Sequence, residues 1–408
     1  MESLSERIQL NSNKLSFLDH SRPSAGNQIR TCKEQLKQDA LELFRLASEP
    51  EEYIAHLSMN HQYTICLRWL FSFNILGLVP SDGSISYSNV SIVANVAESH
   101  LRSVCRMAMT SGLLCEPESN RIAHTPTSRL LAKNADFAAW ARCVTQYMYE
   151  ASSHLPVASG KTFGTGKPVI SAFEAAYEVE GGFPNQLRQN PSLAKDFGGF
   201  LRATQQIYAN DVRHLADGFD WKSLGRATVV DVGASSIELC EHLAKRHEDL
   251  SLQLHVPLRI SAQINSQYTN IRSDNQARIA VQTYEGQVPR IDEDANVFIL
   301  RHMLHHFPEA AAVGLLSAIA SRLLPGGTII IADLVLPAAR TSSMYSEGML
   351  RTRELIHKEL SNGETRYVED WENLVAKAGH GLHITKVTKP FGSDLSIIEL
   401  QVARQNGH

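Results

Sequence analysis

The sequence is short of the features that mark specialised classes of protein. Its six cysteines, Cys32, Cys66, Cys105, Cys115, Cys143 and Cys240, are scattered and form no CxxC pair. That spacing argues against a zinc framework or a disulfide-stapled scaffold and points to reduced thiols in a cytosolic protein. Charge of one sign does not accumulate. A formal net charge of −4 speaks against a nucleic-acid or anionic-membrane partner. Long apolar runs are missing as well. The most apolar stretch, Tyr63 to Pro80, carries Arg68, Ser72 and Asn74, so it reads as a buried helix rather than a membrane span. The opening residues are polar and hold no apolar leader core. Neither an internal repeat nor a low-complexity tract is visible. What remains is 43% hydrophobic and 20% charged over 408 residues, a globular chain too long for one ordinary core, so more than one domain is expected.

Hydrophobic periodicity divides the chain. Residues 1–30 show little of it and read as a flexible arm. From Thr31 to Ser48, Leu36, Ala40, Leu43, Phe44 and Ala47 recur at helical spacing. Two short helices follow at 88–97 and 98–111, the second with Leu101, Val104, Cys105 and Ala108 on one face. Leu114-Cys115 can pair with Arg121 to His124 as a small hairpin. This is a winged-helix pattern over 31–135. Its second helix offers only Arg102 and Arg106, offset by Glu98, so it reads as a structural or dimerisation module and not as a DNA reader. Residues 136–220 are helical, at 140–153, 170–179 and 193–216. From 221 to 408 strands alternate with helices. Strands are expected at 227–232, 250–256, 278–284, 295–301 and 328–335, a helix at 308–324, and a hairpin from 381–390 and 395–402. The strands are almost continuously apolar, the mark of a parallel sheet covered on both faces.

Three segments carry a resemblance: LGLVPSDGSISYSNVS (76–91), LRSVCRMAMTSGLL (101–114) and AHTPTSRLLAKN (123–134). Together with the strand order they resemble the class I plant- and fungal-type small-molecule O-methyltransferases, and within them the fungal O-methyltransferase-like pericyclases. The resemblance implies an α/β fold. It would be a Rossmann-like class I methyltransferase domain, a parallel sheet with a C-terminal antiparallel hairpin, preceded by a mainly α-helical winged-helix dimerisation domain. It further implies a homodimer, with residues 136–220 roofing the substrate pocket.

In such enzymes S-adenosylmethionine (SAM) rests on a glycine-rich loop, an acid at the end of the second strand and an acid after the third. Here the loop keeps Asp231 and Gly233. Ala234, Ser235, Ser236, Ile237 and Glu238 stand where further glycines let backbone approach the ligand. His255 occupies the ribose-acid position, and a neutral imidazole cannot accept from two hydroxyls as a carboxylate does. Thr283 and Tyr284 occupy the adenine-acid region, with Glu285 beside them. The expectation is therefore a degenerate SAM site and no required cofactor, with SAM binding left open.

The chemical end is better kept. His305 falls on the family's general base, His306 on the usual Asp beside it, Asp333 on the first supporting acid, and Thr365 on the second, with Glu364 adjacent. Arg301, His305, Asp333 and, from the roof, His154 form the expected catalytic set. Phe173, Phe200, Arg202, Met349 and Thr365 are the expected substrate contacts. His302, His305 and His306 have only Glu309 as a nearby carboxylate in sequence, so no metal is expected. Three readings follow. The first is a SAM-dependent O-methyltransferase on a phenolic or enolic metabolite. The second is a pericyclase guiding dehydration and cycloaddition or an ene reaction without methyl transfer. The third is a non-catalytic partner. The altered loop and His255 favour the second.

Overall fold

The computed structural model describes residues 3–18, 26–162, 170–286 and 288–403; positions 1–2 and 19–25 of the expected arm lie outside them. The chain divides into two compact units, 1–38, 207–352 and 363–408 in one, 39–206 and 353–362 in the other. Two of the four dividing points, after 38 and after 352, fall inside helices Gly26–Ala47 and Met344–Ser361.

The first unit is built on seven strands: β1 Ala227–Val232, β2 Leu250–Pro257, β3 Ile279–Tyr284, β4 Ala295–Arg301, β5 Leu323–Asp333, β6 Leu382–Thr388 and β7 Ser396–Val402. Their order is β3-β2-β1-β4-β5-β7-β6. The first five run parallel and β7 runs antiparallel to both β5 and β6, the sheet with a C-terminal hairpin that the sequence predicts. Alternation explains the apolar strands. Val229, Leu252, Leu254, Ile299 and Ile330 pack into one face's core, and Val230, Phe298, Leu300, Ile329 and Ile331 into the other's. Each such side chain contributes about 1.5–3 kcal/mol on burial. Helix Glu238–Arg246 covers one face through Leu239, Cys240, Leu243 and Ala244. Its acids lie in the first turn and its bases in the last, in line with the helix dipole. Most boundaries lie within two residues of expectation, and the largest difference among the strands is at the start of β5. Strand β5 starts at Leu323 and not after the glycines, because Gly326, at φ 78°, bends the strand without ending it.

The amino-terminal helix Leu4–Phe17 buries none of its residues, and Ser3 and Glu6 cap it reciprocally, a Ser-x-x-Glu signature. In the second unit a three-stranded sheet pairs Ile85 with Ile122 and Leu114 with His124, beside helices Tyr87–Ala94 and Glu98–Thr110. The TPTS segment closes it as a capping box. Thr125 Oγ1 accepts from the Ser128 amide and Ser128 Oγ from the Thr125 amide, while the buried His124 ring bridges Ser128 Oγ and the Val79 carbonyl. The helix expected at 193–216 is broken. It ends at Gln206, a tight turn spans Tyr208–Asn210, and Arg213–Gly218 begins anew. Asp211 provides the cause, since it accepts from the Arg213 amide and restarts the helix.

Candidate active site

Functional groups of the first unit gather at the carboxyl ends of its parallel strands, where open α/β sheets bind ligands. Strand β5 ends on Asp333, which is fully buried. Its Oδ1 lies 2.8 Å from His305 Nδ1 and accepts the Leu334 amide at 2.8 Å. Burial pushes this carboxyl up. The His305 and His302 imidazoles and the Leu334 amide outweigh that and hold it well below the usual carboxylate range. His305 sits on a short 3₁₀ turn after β4, its side chain only 6% exposed. A histidine oriented at Nδ1 by a buried carboxylate can take or give a proton at Nε2.

Three further groups frame this pair. The Arg301 guanidinium donates to the Asn210 carbonyl at 2.6 Å. Burial lowers its pKa, against the pull of Asp231, Glu238 and Asp211. Asp231, buried in β1, is pushed up to about 7 by burial, with Arg301 opposing. Arg366 is buried. It pins its segment to the end of β5 by pairing with Val335 and by accepting the Leu336 amide at 2.9 Å. Its side chain reaches the Leu304 carbonyl at 3.4 Å. Thr365 stands next to it, half-buried, whereas Glu364 is exposed and does not take the buried place of an acid.

The loop after β1 is filled from within. Gly233 has φ 74°, a conformation suited to glycine, and a Cβ there would lie 2.8 Å from Met303 Sδ and 3.5 Å from the Tyr284 hydroxyl. The Ala234 amide donates to the His255 carbonyl at 2.9 Å, and Ile237 is buried in the core of that face. Thus the substituted positions anchor the turn. At the end of β2 the His255 ring is buried and its Nε2 meets the Glu293 carboxylate. The carboxylate at this strand end belongs to Glu293; one oxygen lies against the His255 ring and the other accepts the Asp292 amide at 3.2 Å, so it does not present the two free acceptor oxygens that a ribose diol needs. Glu285 is exposed, and burial raises the Tyr284 hydroxyl. This donor set departs from the glycine-rich loop and two acids that the resemblance implies.

Of the groups expected from the second unit, His154 sits at the end of helix Tyr149–Ser153 with Nδ1 against the Glu150 carbonyl and Ser153 Oγ, both at 3.0 Å, so that nitrogen serves its own helix. Phe173 is core: it is 1% exposed and packs on Tyr177 and Phe183. Phe200 is half-buried against Trp140 and Phe197. Arg202 is exposed and forms an ion pair with Asp136 at 2.8 Å. Met349, in the first unit, is exposed. Glu293, Met303 and Asn210 went unnoticed in the sequence. Each acts through a contact with a residue distant along the chain, which no local spacing announces.

The chain matches the model of an O-methyltransferase domain over residues 165–381. It is 33% identical over 381 residues to the O-methyltransferase aoiF of Aspergillus oryzae, covering 93% of this chain and 90% of that one. Other fungal relatives carry O-methyltransferase names as well. Among solved structures, one described as a pericyclic reaction enzyme superposes with a TM-score of 0.76 at 15% identity, covering 97% of this chain and 98% of that one. LepI in complex with SAM superposes at 0.75 and 15%, covering 98% and 100%. At such identities the likeness is one of fold. Among the described residues no helix is long and apolar enough to cross a membrane.

Proposed function

The chain belongs to the O-methyltransferase family, and from that premise we propose that it is an enzyme of natural-product biosynthesis, on alkaloid or polyketide substrates, that guides dehydration and a following cycloaddition or ene reaction without methyl transfer. One observation carries the reading: the His305–Asp333 pair is intact at 2.8 Å, while the ribose end of the cofactor cleft holds the chain's own His255–Glu293 pair. In this reading His305 Nε2 takes the proton of a phenol bearing a hydroxyl one carbon from the ring. The C–O bond breaks, the imidazolium returns the proton to the departing hydroxyl, and water leaves a quinone methide. Asp333 holds the ring and stabilises its charged form. The pocket then aligns the reacting carbons, and alignment is the main requirement of a pericyclic step. Arg301 and Asp231 hold the strand ends in place.

The expected partners are a small-molecule substrate and, in the cytosol, a second copy of the chain. Leu43, Phe44, Leu46, Tyr53, Ile54 and Leu57 are large and exposed, and Phe44 packs 4.7 Å from His56, which brings apolar residues of helices Gly26–Ala47 and Tyr53–Ser72 together. A second reading, SAM-dependent O-methyl transfer, is favoured by the relatives' names and by Glu293, whose carboxylate lies near where the missing acid would stand. Calorimetric titration with SAM and S-adenosylhomocysteine, alongside assays for methylated phenols, separates the two. Weak or absent binding and no methylated product are expected. Tight binding with methyl transfer would establish the second reading and end the first.

A further inference from the structure

We propose that His302, His305 and Asp333 form a binding site for a divalent transition-metal ion of the zinc class. Among the described residues these are the one group of three metal-ligating side chains whose donor atoms all lie within 4.8 Å of one another. Zinc–nitrogen and zinc–oxygen bonds of about 2.0–2.2 Å set tetrahedral ligand atoms roughly 3.4 Å apart. His305 Nδ1 and Asp333 Oδ1 are 2.8 Å apart and all three donors lie within 4.8 Å of one another, so side-chain adjustment alone brings the set to that spacing.

Two observations point to a ligand here. Asp333 is fully buried, yet its Oδ2 has no hydrogen-bond partner. A buried carboxylate oxygen without a partner is unfavourable, and a cation satisfies it. Separately, His302 holds a left-handed backbone, φ 52°, which costs a non-glycine residue about 1–2 kcal/mol. Its amide is fixed to the Ala332 carbonyl at 3.0 Å, and this turn sets its ring at 82° to that of His305, centroids 5.9 Å apart. Two imidazoles and one carboxylate with an open side suit zinc, cobalt or iron rather than calcium or magnesium. The spacing along the chain hides the set, because Asp333 reaches it from the next strand. An ion bound here occupies His305, so metal and proton compete for that ring and the loaded protein loses its base.

The test uses the full chain, stripped by chelator dialysis and titrated with Co²⁺. One equivalent with visible ligand-field bands is expected in the wild type. His302→Gly keeps the left-handed backbone and removes one ligand, and its affinity should fall by at least on the order of 100-fold, since loss of mere outer-shell partners already costs 10–100-fold. Asp333→Asn should weaken binding likewise, with circular dichroism checking both folds. No bands in the wild type, or equal binding by a folded His302→Gly protein, overturns the site, as do thiolate charge-transfer bands marking a cysteine site elsewhere. The reaction proposed above is not assayed, so its failure leaves this result untouched.

Discussion

If the His255–Glu293 pair is what excludes a nucleoside cofactor, exchanging it for an acid and a neutral amide should restore binding. Both residues must change. His255→Asp alone would set two carboxylates facing each other at a buried strand end, and like charges there would protonate one of them or open the loop. Adding Glu293→Gln removes the second charge and leaves a side chain that can donate to the new aspartate. A hydrogen bond to a charged group is worth roughly 1.5–3 kcal/mol. Regaining one from a ribose hydroxyl should therefore tighten S-adenosylhomocysteine about 10- to 150-fold over the wild type, more if both hydroxyls engage. Calorimetric titration of wild type, each single variant and the double variant measures this directly, with thermal melts to verify folding. The loop supplies an internal control, since Ile237 and Ala234 are unchanged and any gain is assignable to the strand end. A double variant that folds and binds no better than wild type refutes the reasoning, and so does a wild type whose tight binding is lost in Glu293→Ala. The latter result would make Glu293 itself the ribose acid.

Four further outcomes are expected. Asp333→Asn should lower turnover about 10²–10⁴-fold with KM little changed, because it removes the group that orients the base; steady-state kinetics on any substrate turned over will check it. Burial raises Asp231 from 3.8 to about 7, so across that window the folded chain keeps a proton the unfolded chain has released. Stability should thus fall as pH rises from about 4 to about 7, by roughly 4 kcal/mol at most, and urea midpoints of Asp231→Asn should show a flatter slope there. Gly233→Ala should cost about 1–2 kcal/mol through its backbone angle, little of it from the yielding tip of Met303; a urea midpoint equal to wild type would contradict this. Ile54→Glu should shift the chain toward monomer in light scattering, and an unchanged mass would remove the exposed apolar row from the interface.

The sheet was legible because both of its faces are buried. Period-two burial in continuous apolar strands leaves little freedom for their limits, and β1 and β4 match the sequence expectation residue for residue. Legibility failed where a local signal has a competitor. Asp211 restarts a helix that apolar periodicity alone would continue, and Gly326 bends a strand where the glycines suggest that it has not yet begun. In the site, His305 and Asp333 could be read from motif positions, and the structure brings them together. The partner of His255 could not be read, since Glu293 arrives from the β3–β4 loop. The assignment of Phe173 as a pocket wall met the usual ambiguity of an aromatic residue, and its surroundings make it core.

One oxygen atom deserves a last consideration. Asp333 Oδ1 accepts the Leu334 amide as well as facing His305, so the same atom secures the end of a central strand and the chemistry above it. A lineage that abandoned methyl transfer would still be under pressure to retain this aspartate for the backbone alone. Half of a working acid–base pair would then persist without selection for any reaction, ready for recruitment by whatever substrate next came within its reach. Such dual duty offers a physical route by which an inherited fold changes its chemistry without first assembling new catalytic groups.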